Sequence, residues 1–430
     1  MEMILREVVV STFVIVVMAA VGGVIVRPLE SQEKRLVAMS FWLKVVFIFL
    51  NVLVTKYYFH GGDMLGYCRW GVLLSNDETE SFSYLMRQFF QQRLGAENSS
   101  TLSMAALSGM IQMTTGETVF GTCLLVGLAA WFGQVAIYFV LRDHVPLVLR
   151  RAAMLSALFL PSLLFWTGGI IKEAVAIFGL GLLFLGAHWL LQRRLQGIIL
   201  ASIGLAVVAV SKAYILVPFF AGGAIWFFLG RQQLKVGFTL MLRLCIGATV
   251  GVMAVRYIGD VFPRYSIDGF TGVTAGLQEV GQRVRGGSTY SLGDGSGPVG
   301  LLPQAVLTAL FRPIFFEVNN AAMALNAVET TVILGLLTYA VRFNGIRECF
   351  RRVLRFPILI YCVIFVLLMS MGVGLGSTNL GTLSRYRTPM MPFYFFLLLT
   401  VAVPRSKIRL ARSAFFQALL KPLGQRRRVS

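Results

Sequence analysis

Runs of apolar residues long enough to cross a bilayer recur along this chain, and nothing else in it limits the fold as tightly. A helix needs about 20 such residues to pass a hydrocarbon core of roughly 30 Å. No water is available there, so the backbone must close its own hydrogen bonds. Eleven stretches qualify, with a range of ten to twelve, at residues 8–26, 36–55, 118–141, 152–167, 174–192, 197–211, 213–230, 237–256, 321–341, 356–374 and 389–404. Only Ser211-Lys212 separates the sixth from the seventh, so these two could also be one broken element. A membrane β-barrel would show alternating segments of about 10 residues instead. The expected fold is an all-α polytopic membrane protein.

Composition agrees. The 430 residues are 57% apolar and 13% charged, against about 45–50% and about 25% in ordinary soluble domains. Five Cys form no disulfide framework. The first run is long for a signal-peptide core, and Arg27-Pro28-Leu29-Glu30 follows it rather than a small-residue cleavage site. It reads as a retained helix. Residues 1–404 then form one transmembrane domain with long loops at 56–117 and 257–320, and 405–430 form a basic tail.

The net charge of +20 would suggest nucleic acid on a soluble protein. Here its placement points elsewhere. One side of the predicted topology collects 23 Lys/Arg against four acids (Glu30, Glu33, Asp143, Glu348), and the other holds 14 against 15, with Glu329 of the ninth span counted among the acids. Basic loops stay cytoplasmic. The N-terminus is therefore expected outside and the C-terminus in the cytoplasm. The charge becomes a topology signal and a contact for anionic lipid, with no nucleic-acid partner. Lys44 falls inside a span, where it is expected to snorkel.

Four polar constellations fall on the expected outer face. The first, His60-Gly61-Gly62-Asp63-Met64-Leu65-Gly66-Tyr67, follows the second span. Asp63 suits a general base or a metal ligand beside a phosphate; as a helix N-cap it would be structural. The second packs Lys172-Glu173 behind Gly168-Gly169, either a functional ion pair or a helix start with a dipole-matched acid. The third is Phe311-Arg312-Pro313 within the Gly-rich loop that also holds Arg264, Arg283 and Arg285. Arg suits bidentate phosphate contact, although ordinary interfacial Arg would look the same. The fourth, Asn379 to Pro389, carries Arg385 and Arg387 around Tyr386, two guanidinium groups at headgroup level and against the positive-inside bias.

Other signals are bland. His60, His144 and His188 lack metal spacing, no nucleotide-binding motif occurs, and Asn98-Ser99-Ser100 is a weak glycosylation sequon. Glu329 is an intramembrane acid, either a hydrogen-bond partner or part of a polar path.

The order of these features resembles the GT-C membrane glycosyltransferases: an acid after an early span, a long loop with surface helices, then a second acid in the next outer loop. The Arg385-Tyr386-Arg387-Thr388-Pro389 segment is similar to one that opens a late span in many of them. The Leu160-Pro161-Ser162 to Glu173 and Phe311-Arg312-Pro313 segments resemble bacterial polysaccharide-assembly proteins, some described as Wzy-type repeat-unit polymerases. The resemblance implies a GT-C-like fold in a bacterial inner membrane and surface-polysaccharide synthesis from polyprenyl-phosphate-linked sugars on the outer face. It implies catalytic roles for Asp63 and Glu173, and phosphate or substrate contacts from Lys172, Arg312, Arg385, Arg387 and Tyr67. The partners implied are a polyprenyl-linked saccharide, a glycan acceptor and other polysaccharide-assembly proteins. The only cofactor it leaves open is a divalent cation, Mg or Mn. The alternatives are repeat-unit polymerisation and non-enzymatic flipping of a lipid-linked glycan, the latter wanting charges at mid-membrane such as Glu329.

Overall fold

The computed structural model describes residues 2–76, 81–90, 99–229, 297–318, 321–377 and 379–404. The expected span at 237–256, the acids Asp77, Glu78 and Glu80, Asn98 of the sequon, the loop arginines 264, 283 and 285, and the basic tail lie outside the described residues. Among the described residues the chain is all-helical. Seven stretches are long and apolar enough to span a membrane: Ile4–Ile25, Ser31–Tyr57, Val119–Asp143, Lys172–Leu191, Gln196–Trp226, Met323–Asn344 and Pro357–Leu375. Two shorter apolar helices lie at Gly300–Phe311 and Thr388–Ala402. This is a multi-pass membrane protein.

In chain order the first half contains α1 (Glu2–Ile25), α2 (Ser31–Tyr57), α3 (Asp63–Asn76), α4 (Phe82–Phe90), α5 (Ser99–Thr115) and α6 (Val119–Asp143). It continues with α7 (Leu147–Leu158), α8 (Pro161–Trp166), α9 (Lys172–Leu191), α10 (Gln196–Lys212) and α11 (Leu216–Leu229). The second half contains α12 (Gly297–Phe311), α13 (Ala321–Asn344), α14 (Ile346–Arg355), α15 (Pro357–Leu375), α16 (Leu380–Tyr386) and α17 (Met391–Ala402).

Helices α2, α6 and α9 form the centre. Glu33 meets Arg142 at 2.9 Å, and Ser40 accepts from the Trp131 indole at 3.0 Å. Thus α2 runs antiparallel to α6. Asp143 and His188, 3.3 Å apart, mark the far ends of α6 and α9. Rings of Phe184, Tyr361 and Phe393 pack with centroids 5.1–5.6 Å apart, joining α9 to α15 and α17 through apolar burial and ring contact. Most of α1 faces outward with exposed Ile4, Val8, Phe13, Val16 and Val24, as a lipid-facing helix should.

The stretch at 196–226 doubles back. Helix α10 runs up α9 to Lys212, a short 3-10 turn follows at Ala213–Ile215, and α11 descends until Trp226 lies 4.9 Å from the His144 ring. This favours the two-element reading of residues 197–230. The run at 152–167 departs from expectation: it is broken into α7 and α8, with Pro161 opening the second. Helix α5 is also not a surface helix. Met104, Ala105, Ala106 and Ser108 are buried, which brings α5 into the packed body. Within 257–320, α12 is apolar and buries Ala305 against α15.

Helix α8 has six residues, so its unpaired backbone ends dominate. At its N-terminal end the Ser162 N–H donates to Glu329 Oε1 at 2.6 Å. At its C-terminal end Lys44 Nζ donates to the carbonyls of Leu164 (3.0 Å) and Thr167 (2.8 Å), and Asn51 donates to that of Phe165 at 2.7 Å. A carboxyl acceptor at the N-terminus and an amine donor at the C-terminus satisfy backbone groups that so short a helix leaves unpaired. Lys44 does not snorkel: it is wholly buried, because those carbonyls have no water to turn to. Glu329 is a hydrogen-bond partner, as one of its two expected roles required.

Candidate functional site

The turn after α8 sets the geometry of the charged site. Lys44 fixes Thr167, and the chain then bends through Gly168-Gly169 into α9, whose first residues are Lys172 and Glu173. A Cβ on Gly169 would lie 2.4 Å from Met64 Sδ. Glycine there lets the first turn of α3 sit directly on the loop. Gly62, at φ +115°, makes the bend that starts α3 at Asp63. Asp63 and Glu173 are thereby brought to the same end of the bundle.

Arg385 joins them. Its Nη2 is 2.7 Å from Asp63 Oδ2, and its Nε is 2.9 Å from Glu173 Oε1. Arg385 lies in α16, a short helix whose start is capped by Asn379: Oδ1 accepts from the N–H of Gly381 at 2.8 Å. Lys212 closes the other end of the chain of charges, donating to the same Glu173 oxygen at 2.7 Å. Tyr386, next to Arg385, covers Lys212 with its ring centroid 4.2 Å from Nζ, a cation–π contact.

Exposure is graded along this chain. Glu173 is 0% exposed and Lys212 5%, while the side chains of Arg385 and Asp63 are 22% and 51% exposed. Asp63 is the open end. Lys172 stands beside the group and donates to Thr101 Oγ1 at 3.1 Å; Tyr67 shares that threonine. Three cations (Lys172, Lys212, Arg385) face two carboxylates, which leaves one net positive charge. Burial alone would weaken the charged form of Arg385, but Glu173 and Asp63 outweigh it and raise its pKa. Burial and then the charge of Asp63 push the Tyr67 hydroxyl well up, so it stays protonated as a donor.

No protein-family model, curated protein or solved structure matches this chain. The charged cluster itself must therefore carry any functional reading.

Of the residues expected from sequence, Asp63, Glu173 and Arg385 are in direct contact, with Lys172 and Tyr67 alongside. Arg387 and Arg312 lie elsewhere. Arg387 is wholly buried and its Nη1 donates to the Arg312 carbonyl at 2.7 Å. Arg312 pairs with Glu317. Arg387 is two positions beyond Arg385, and about 200° of helical turn sends them to different neighbours.

The sequence alone does not single out Lys212 or Thr101. Lys212 read as a spacer between two apolar runs, yet a lone lysine at the expected outer end of a span is a signal of the same kind as Arg385. Thr101 offered none. Among the described residues, no three of His, Cys, Asp and Glu gather to hold a metal. Both carboxylates at the site face cations, so the residues present do not fit a divalent ion.

Proposed function

We propose that this protein is a membrane glycosyltransferase of bacterial surface-polysaccharide synthesis, acting at the outer face on a sugar carried by a polyprenyl phosphate. The observation that supports this best is the graded ion-pair chain. A buried Glu173–Lys212 pair anchors Arg385, and Arg385 holds a half-exposed Asp63 at the end of an apolar bundle.

Each part has a job in such a reaction. Asp63 accepts the proton of the acceptor hydroxyl as its oxygen attacks the sugar carbon. The bond from that carbon to the phosphate oxygen breaks, and the phosphate leaves with the electron pair. Arg385 and Lys172 stabilise the charge that gathers on it. Arg385 is mostly buried, which strengthens those attractions relative to open water. Glu173 and Lys212 position Arg385 and touch no substrate. The flippase reading loses its main mid-membrane candidate, since Glu329 is used by the backbone of α8.

The test is a glycan gel on a strain lacking the gene, complemented with wild type or Asp63→Asn and scored for polymer and lipid-linked intermediates. A precursor short of one sugar, at normal protein level, is the expected result. Accumulated complete repeat units would make the protein a polymerase. Full restoration by Asp63→Asn would reduce Asp63 to a helix cap and overturn the proposal.

A further inference from the structure

A groove of about 730 Å³ opens between α1, α2, α3 and the start of α6. Its wall is apolar, with Val8, Ile15, Phe49 and Val52 along it. It follows α1 from Ile4 to Ile15, about 16 Å at 1.5 Å per residue. Its mouth is polar and carries both signs: Lys56, His60 and Arg69 with Glu7 and Glu117. The groove is separate from the charged site, and Asp63 does not line it. Arg69 is six residues beyond Asp63 on α3, rotated by about 240° to another face.

The charges at the mouth are unequally engaged. Glu7 accepts the N–H groups of Val119 and Phe120 at 2.7 and 3.1 Å, capping α6, and Glu117 accepts from Asn76 at 2.8 Å. A carboxylate has about four lone-pair sites, so both retain capacity for another donor. Lys56 and Arg69 form no ion pair within the described residues. An apolar slot that ends in two cations without an ion pair among the described residues, and in two acids with spare acceptors, matches one kind of molecule in a bilayer.

We propose that this groove binds a phospholipid whose headgroup joins a phosphate to a primary ammonium, phosphatidylethanolamine. One acyl chain lies along Val8, Ile15, Phe49 and Val52. The phosphate meets Lys56 and Arg69, and the ammonium donates to Glu7 and Glu117. A purely anionic headgroup would set extra negative charge against those acids. A choline headgroup has no N–H to donate to them.

The test is native mass spectrometry of the full-length protein in detergent, with phosphatidylethanolamine, phosphatidylglycerol and phosphatidylcholine of matched chains added in equal amounts. Retention of phosphatidylethanolamine at least threefold above either competitor is expected. Thr12→Trp, which fills the slot from an exposed position on α1, should abolish that preference. The pair Lys56→Gln with Arg69→Gln should cut retention severalfold. Glu117→Gln should shift the preference toward phosphatidylglycerol. Equal retention of the three lipids by wild type, or a preference for phosphatidylglycerol, would overturn the proposal without needing any variant to fold. So would a preference unchanged by Thr12→Trp.

Discussion

Helix α8 and the Asp63 cluster both hold charged side chains deep in an apolar protein, and they neutralise them by opposite means. At α8 the charges face the backbone: Glu329 takes an N–H, and Lys44 takes two carbonyls. Those partners cannot move without unfolding the helix, and Lys44 is wholly buried. At the cluster the charges face each other, and the last of them, Asp63, is half exposed. The first arrangement is buried and spent on the backbone. The second ends in a carboxylate whose charge can be offered to something else. Buried charge alone therefore does not single out the candidate site in this molecule; the partner type and the open end do.

Breaking the first arrangement should have the largest effect. Lys44→Met strands two carbonyls and costs about 3 kcal/mol or more, so thermal unfolding in detergent should show a markedly lower midpoint and less folded protein. Asp63→Asn should do the reverse. Product formation should fall by about 10²–10⁴-fold, the usual worth of a general base, while stability stays within about 1 kcal/mol of wild type, as for other exposed pairs. Arg385→Lys keeps the charge but loses the planar fork that reaches both carboxylates. About a tenfold to hundredfold loss of turnover is expected, from roughly 1.4–2.8 kcal/mol at the transition state, with the protein still folded.

The smallest effect tests a third way of burying a titratable group. His144 lies past the end of α6 with its ring 4.8 Å from that of His188. Burial, and then the charge of His188, lower its pKa to about 4. The unfolded chain takes up the proton first, so stability is full above about pH 6.5 and is lost as pH falls toward 4. Between pH 8 and pH 6 the loss should be about 1 kcal/mol or less. His144→Phe should flatten that part of the profile; an unchanged slope would place the titration elsewhere.

The helical, multi-pass architecture was legible because a bilayer leaves the backbone few choices, and length plus hydropathy record that. The break at Pro161 was hidden inside an apolar run, since the residues that make it tolerable, Lys44 and Glu329, are more than 100 positions away on either side. Asp63, Glu173 and Arg385 stood out as polar residues at span ends. Their contact was not legible, because it depends on Met64 packing against Gly169. Arg387 looked equivalent to Arg385 in sequence; only helical rotation separates them. Lys212, between two apolar runs, reads in the sequence as punctuation.

The most direct measurement compares Lys44→Met and Asp63→Asn side by side, recording folded protein and glycan product per folded molecule. A crossed result is expected: Lys44→Met loses folded protein but keeps activity in the fraction that folds, whereas Asp63→Asn folds normally and makes no product. If Asp63→Asn lowers folded protein as much as Lys44→Met, and what folds remains active, the cluster is a second structural clamp and the account fails.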